Sequence, residues 1–104
     1  MLGKNDLRVL AGRFKGVKLQ SPRSKLTHPM GSREKLALFN MLQPYLEGSR
    51  VLDIYAGSGA LGIEALSRGA RSAFFVEKSA KIVRIICQNL QQIAEKGHLE
   101  AILE

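Results

Sequence analysis

The stretch LDIYAGSGALG, residues 52–62, sets three glycines where one backbone periodicity gives way to another, and that junction limits the folds open to the chain. Before it, RVLDIY reads as a short β-strand; after it, a helical pattern runs through about Ser67 and is closed by Gly69. SAFFVE gives a second strand, rich in β-branched and aromatic residues. Residues 79–96 give a longer helix with Ile82, Ile85, Ile86, Leu90 and Ile93 at core spacing and Gly97 as its stop; LEAILE is a third strand. Strands separated by helices build right-handed βαβ units on a parallel sheet, so the fold class expected here is α/β.

The residues before Arg50 follow a different pattern. LRVLAG and GVKLQSP alternate apolar and polar side chains about a glycine-flanked turn at Arg13 to Lys15, which predicts a β-hairpin over residues 7–20 with basic outward positions. SPRSKLTHPMG, with two prolines and a glycine, reads as a linker. Ser32 is positioned to cap a following helix with Leu36, Phe39, Met41 and Leu42 on its apolar side, Pro44 breaking or restarting it, and Gly48 just beyond its end. The expected division is a basic hairpin arm with its linker at 1–26 and the first half of a Rossmann-like domain at 27–104.

Charge separates the halves more sharply. Residues 1–50 carry ten Lys or Arg against Asp6, Glu34 and Glu47, whereas residues 51–104 carry six charges of each sign, so the net +7 belongs entirely to the N-terminal half. A one-sided basic surface on a neutral body fits a polyanionic partner, nucleic acid above all; the alternative is a merely solvated face. No apolar run approaches a membrane span or a secretory core, and the expected location is the cytosol. Cys87, the single cysteine, lies in the apolar run IVRIICQNL and is expected to be a buried, inert thiol; His28 and His98 are isolated, so no metal site is expected.

Gly57, Gly59 and Gly62 satisfy G-x-G-x-x-G between a strand and a helix, with Glu77 at the end of the next strand, which points to a nucleotide-type ligand. A carboxylate at that second strand tip accepts hydrogen bonds from both hydroxyls of an adenosine ribose. Asp53 discriminates between ligands. Beside a dinucleotide pyrophosphate its charge would be repulsive, whereas S-adenosylmethionine brings a sulfonium and an ammonium, to which an acid is complementary. That ligand's own carboxylate could use the helix N-terminus near Gly59 to Leu61. Alternatively, Asp53 only hydrogen-bonds loop amides.

These residues resemble the RsmD-type bacterial methyltransferases, which methylate a guanine N2 in 16S ribosomal RNA. LRVLAGRFKGVKL is similar to that family's opening hairpin, SREKLALFNMLQPYLEGSRVLDIYAGSGALGIEALSRGA to its central block, and FFVEKSAKIVRIICQNL to its second strand and helix. The resemblance implies a class I S-adenosylmethionine-dependent, Rossmann-like fold of about three parallel strands with helices, preceded by the hairpin. It implies that Asp53, Ala56, Gly57, Ser58 and Gly59 line the methionine and sulfonium end of the cofactor, and Glu77 with Lys78 the adenosine end. It also implies that the basic residues Arg8, Arg13, Lys15, Lys18, Arg23, Lys25 and Arg33 face 16S ribosomal RNA, within the small ribosomal subunit.

Two departures bear on chemistry. Where that family commonly has Thr-Arg-Pro-Thr, this chain reads Thr27-His28-Pro29-Met30, which puts one arginine contact in question. The family's catalytic motif, Asp or Asn followed by Pro-Pro and an aromatic, is missing, and the sequence holds no Pro-Pro pair. The resemblance therefore implies the cofactor-binding and RNA-facing portion of such an enzyme, without the seat for the acceptor base. With no fourth strand to pair with it, RVLDIY is expected to leave an apolar open edge through which the chain self-associates or for which it depends on a partner segment. Two other readings stay open: a non-catalytic RNA-binding module, and a dinucleotide-dependent oxidoreductase fragment that Asp53 disfavours.

Overall fold

The computed structural model describes residues 7–21, 31–54, 57–94 and, as backbone, 101–103. Over these, the elements run β1 (Leu7–Arg8), β2 (Lys18–Leu19), α1 (Ser32–Leu46), β3 (Arg50–Ile54), α2 (Ala60–Ser67), β4 (Ser72–Val76), α3 (Ala80–Ala94) and β5 (Ala101–Leu103). β1 and β2 pair antiparallel, Leu7 opposite Leu19 and Arg8 opposite Lys18. β3, β4 and β5 form a parallel sheet in that order, with Asp53 opposite Phe75 and Phe75 opposite Leu103. The expected hairpin and half-Rossmann architecture is thus present. The linker with Arg23, Lys25 and His28, the turn residue Ala56, and Gly97 with His98 lie outside the described residues.

Alternation along the strands decides which face is covered. Ala73 and Phe75 are buried beneath α2 and α3, where Phe75 shares a core with Ile63, Leu66, Ile86 and Ile93. A Cβ on Gly62 would run into the Phe75 ring, so the third glycine of the turn is what lets α2 lie this close to the sheet. The opposite face carries Leu52, Ile54 and Val76, which are exposed. Within the described sheet β3 is an edge strand.

The hairpin shares this core, for Leu7, Val9, Phe14 and Leu19 are all buried in it. Gly12 takes φ +92, and any side chain there would collide with the Ser67 carbonyl; the turn needs a glycine for both reasons. The Ser67 hydroxyl accepts from the Phe14 amide at 3.0 Å and donates to the Ala11 carbonyl at 2.6 Å.

Four sequence expectations need correction. α1 runs uninterrupted through Pro44, because the proline sits in the last turn on the exposed side and the carbonyl it deprives belongs to exposed Asn40. The residue preceding α1 is Gly31, with Ser32 as the first helical residue and no side-chain cap bond. The inward side of α1 is Lys35, Phe39 and Leu46, whereas Leu36, Met41 and Leu42 are exposed, since the helix turns to bring Lys35 onto an acid of α2 and Phe39 under Arg68. Cys87 is exposed rather than buried: Ile86 takes the inward position on α3, and the next residue lies about 100° further round the helix.

Candidate cofactor site and basic hairpin

The tips of two adjacent parallel strands and the first turn of α2 converge on one place. Asp53, next to last in β3, is buried, and its Oδ2 accepts from the Gly62 amide at 3.1 Å. Gly57 and Gly59 take φ of +58 and +82, so the chain reverses into α2 by a route that side chains resist. The Ser58 hydroxyl accepts from the Ala60 amide at 3.2 Å, a local bond within the turn. Glu77, just past β4, binds the turn directly: Oε1 accepts from the Gly57 amide at 3.1 Å and Oε2 from the Ser79 amide at 3.2 Å. Lys78 is exposed beside it.

Burial pushes the Asp53 carboxyl up to about 6, and the Gly62 amide draws it back only in part. Asp53 thus does bond a loop amide, but this bond does not offset its desolvation. A cation beside it would supply what one amide does not. Each Glu77 oxygen has one amide and retains a second lone pair, so the carboxylate can still accept from a vicinal diol. A desolvated acid beside a glycine turn, and a second acid with acceptor capacity at the neighbouring strand tip, fit the cationic amino-acid end and the ribose of S-adenosylmethionine.

The basic side chains lie elsewhere. Arg8, Arg13, Lys15, Lys18 and Arg33 are all exposed. Arg8 donates Nη1 to the Gly16 carbonyl at 3.1 Å, which holds it along the hairpin. Arg13, Lys15 and Lys18 line an open concavity of about 400 Å³ together with Gln92 of α3. This hollow shares no lining residue with the glycine turn, and the charged side chains in its lining, Arg13, Lys15 and Lys18, are all basic. Among the described residues there is no cluster of three or more His, Cys, Asp or Glu able to hold a metal, and no helix long and apolar enough to cross a membrane.

Sequence reading missed the buried polar groups that hold the hairpin and α1 against α2. Glu64, fully buried on α2, accepts from the amides of Leu10 and Ala11 at 2.9 and 3.1 Å and from Arg68 Nε at 2.8 Å, with Lys35 Nζ 3.7 Å away. Lys35 also donates to the Arg8 carbonyl, and Arg68 to Asn40 and Gln43 of α1; Arg68 Nη2 and Ser49 Oγ are buried without a partner. Burial pulls the Lys35 ammonium below its ordinary range, Glu64 restores it in part, and Arg68 adds to the lowering. The signal was present in ALGIEALS, a helix apolar on every side, whose lone acid must therefore be buried and paired. Asn89 of α3, also fully buried, gave no comparable signal.

The family described as Conserved hypothetical protein 95 matches residues 7–104. Ribosomal RNA small subunit methyltransferase D of Haemophilus influenzae is 42% identical over 90 residues, covering 86% of this chain and 47% of that protein. Its namesake in Escherichia coli K12 is 39% identical over 88 residues, covering 85% of this chain and 44% of that protein. The solved structure of yhhF, a candidate methyltransferase from Escherichia coli, superposes with a TM-score of 0.78 at 35% identity over 93% of this chain and 51% of its own. This chain spans about half the length of the curated relatives it matches. Glycine turn, strand-tip acids, hairpin and matched residues agree: the chain belongs to the Conserved hypothetical protein 95 family, that of the RsmD-type ribosomal RNA methyltransferases, and has the first half of their class I fold.

Proposed function

We propose that these residues form the S-adenosylmethionine-binding and RNA-facing part of a cytoplasmic enzyme that methylates a guanine N2 of 16S ribosomal RNA in the small ribosomal subunit. The observation that carries this reading is Asp53: a buried acid whose carboxyl is pushed up to about 6, next to a glycine turn. A dinucleotide pyrophosphate would add charge repulsion to that desolvation, and a cationic ligand offsets it.

In this reading Asp53 holds the ammonium end, Gly57, Ser58 and Gly59 admit the methionine portion against the backbone, and Glu77 takes the ribose hydroxyls with Lys78 beside the adenosine. Ala56, outside the described residues, is assigned to the same wall. When bound, the cofactor supplies an electrophilic methyl on a sulfonium. The chain's task is positional: to fix that methyl relative to RNA held by Arg8, Arg13, Lys15, Lys18 and Arg33, with Arg23 and Lys25 contributing from outside the described residues. The acceptor amine is a poor nucleophile, and the motif that would orient it is not among these residues.

Calorimetric titration with S-adenosylhomocysteine, with NADH in parallel, tests the cofactor assignment. Binding of the former that is lost in Asp53→Asn is the expected result; binding of NADH alone would overturn it. Replacing Arg13, Lys15 and Lys18 together by Ala is expected to weaken RNA binding and flatten its salt slope by about 2, while sparing S-adenosylhomocysteine. RNA binding with no response to S-adenosylhomocysteine would favour a non-catalytic RNA-binding module.

A further inference from the structure

The glycine turn and the hairpin are joined by one side chain. Asn89, fully buried on α3, donates Nδ2 to the Ser58 carbonyl at 2.8 Å and to the Gln20 carbonyl at 3.0 Å, and its Oδ1 accepts from the Gln20 amide at 2.8 Å. Ser58 lies inside the glycine turn, and Gln20 is the residue by which the chain leaves β2. One turn further along α3, Gln92 donates to the Lys18 carbonyl at 2.9 Å, so the same helix grips the second hairpin strand twice.

Asparagine suits this place for a stated reason. Two N–H donors meet two carbonyls and the oxygen meets an amide, so both donors of the side-chain amide are used and its oxygen has a partner. The Ser58 peptide sits between glycines at φ +58 and +82, neither of which has a side chain to restrict its rotation. Asn89 supplies that restraint, and ties it to the backbone of the basic hairpin.

We propose that Asn89 is a positioning residue that couples the two sites: it makes the orientation of the cofactor turn depend on the placement of the RNA-facing hairpin. This rests on the reading of those sites given above. Each ligand orders one end of the Asn89 bridge, so the second ligand meets a partner already ordered, and each tightens the other by the same factor.

The test measures S-adenosylhomocysteine affinity of the chain with and without a saturating 16S ribosomal RNA transcript, and RNA affinity with and without S-adenosylhomocysteine. The expected mutual effect is about fivefold or more, the low end of coupling between linked sites. Asn89→Ala, which removes the bridge, and Asn89→Asp, which turns a donor into an acceptor facing two carbonyls, are both expected to bring that factor to about one. A residue important only for folding would lower both affinities and leave their ratio intact, which would overturn the proposal. Should both variants fail to fold, hydrogen exchange on the unmodified chain decides: S-adenosylhomocysteine is expected to slow exchange of the Gln20 amide about fivefold, and an unmoved Gln20 amide counts against the coupling. A chain that binds both ligands independently overturns the coupling alone; a chain that binds neither overturns the assigned function, and the coupling with it.

Discussion

In its proposed role, Asp53 sets function against stability. Burial pushes its carboxyl up to about 6 in the folded chain from an ordinary 3.8, so the folded state holds the proton more tightly than the unfolded state. A folded form that binds more protons loses stability as pH rises through the interval between the two values. Burying the charge costs up to about 3 kcal/mol at pH 7, a shift of roughly two units, and nothing below about pH 4. Asp53→Asn keeps an oxygen for the Gly62 amide and removes the charge. It is therefore expected to be more stable than the parent by about 1–3 kcal/mol at pH 7 in urea denaturation, with the difference vanishing near pH 4, while binding no S-adenosylhomocysteine. The parent's affinity is expected to fall about tenfold between pH 7 and pH 5, as the acid that meets the ammonium is protonated. The carboxylate's presence at the strand tip was legible from the glycine spacing; that a single amide is all it receives from Gly62 depends on how α2 lies over β3, which no local pattern encodes.

Among the elements, those whose surroundings are close in sequence were the legible ones. From Arg50 onward, each strand pairs with the next across a helix, and the period-2 and period-3.6 patterns locate β3, α2, β4 and α3 to within a residue or two. α1 was misread because its inward face is chosen by Glu64 and Arg68 of α2, not by its own apolar residues, and a buried lysine runs against every hydropathy rule. α2 explains the arrangement. Its N-terminus follows the glycine turn proposed to take the cofactor, and its C-terminal half, through Glu64 and Ser67, holds the hairpin. Glu64→Gln leaves Lys35 and Arg68 buried without a counter-charge and is expected to cost about 3–5 kcal/mol. A domain of this size has roughly 5–15 kcal/mol in total, so the loss is severe. Adding Lys35→Met removes one orphaned cation, and denaturation of the double variant is expected to recover part of the loss; a Lys35→Met effect that is the same in the parent and in Glu64→Gln would show that Lys35 is not coupled to Glu64.

At the scale of the molecule, two features of opposite sign bear on the proposed self-association. Leu52 and Ile54, 60% and 55% exposed, lie with Val76 on the uncovered face of the sheet, and β3 is its edge among the described strands. A parallel sheet buries both faces, so such a surface favours pairing with another strand. Matched relatives have about as much chain again beyond what is shared here. Against this stands a net charge of +7, held in the N-terminal half, which makes copies repel. Salt separates the two contributions: charge repulsion between exposed groups is screened, the Debye length shrinking from about 30 Å at 0.01 M to about 8 Å at 0.15 M, whereas apolar burial and strand pairing are not weakened. The chain is accordingly expected to sediment as larger species as salt is raised. Replacing Leu52 and Ile54 by Lys places charge on the pairing strand without touching the covered face, and is expected to return a folded monomer at every salt concentration. A parent chain that sediments as a monodisperse, folded monomer throughout would contradict association through β3. RNA binding depends on salt in the opposite sense, being strongest where self-association is weakest, so sedimentation and RNA titration over one salt series distinguish the sheet face from the basic hairpin.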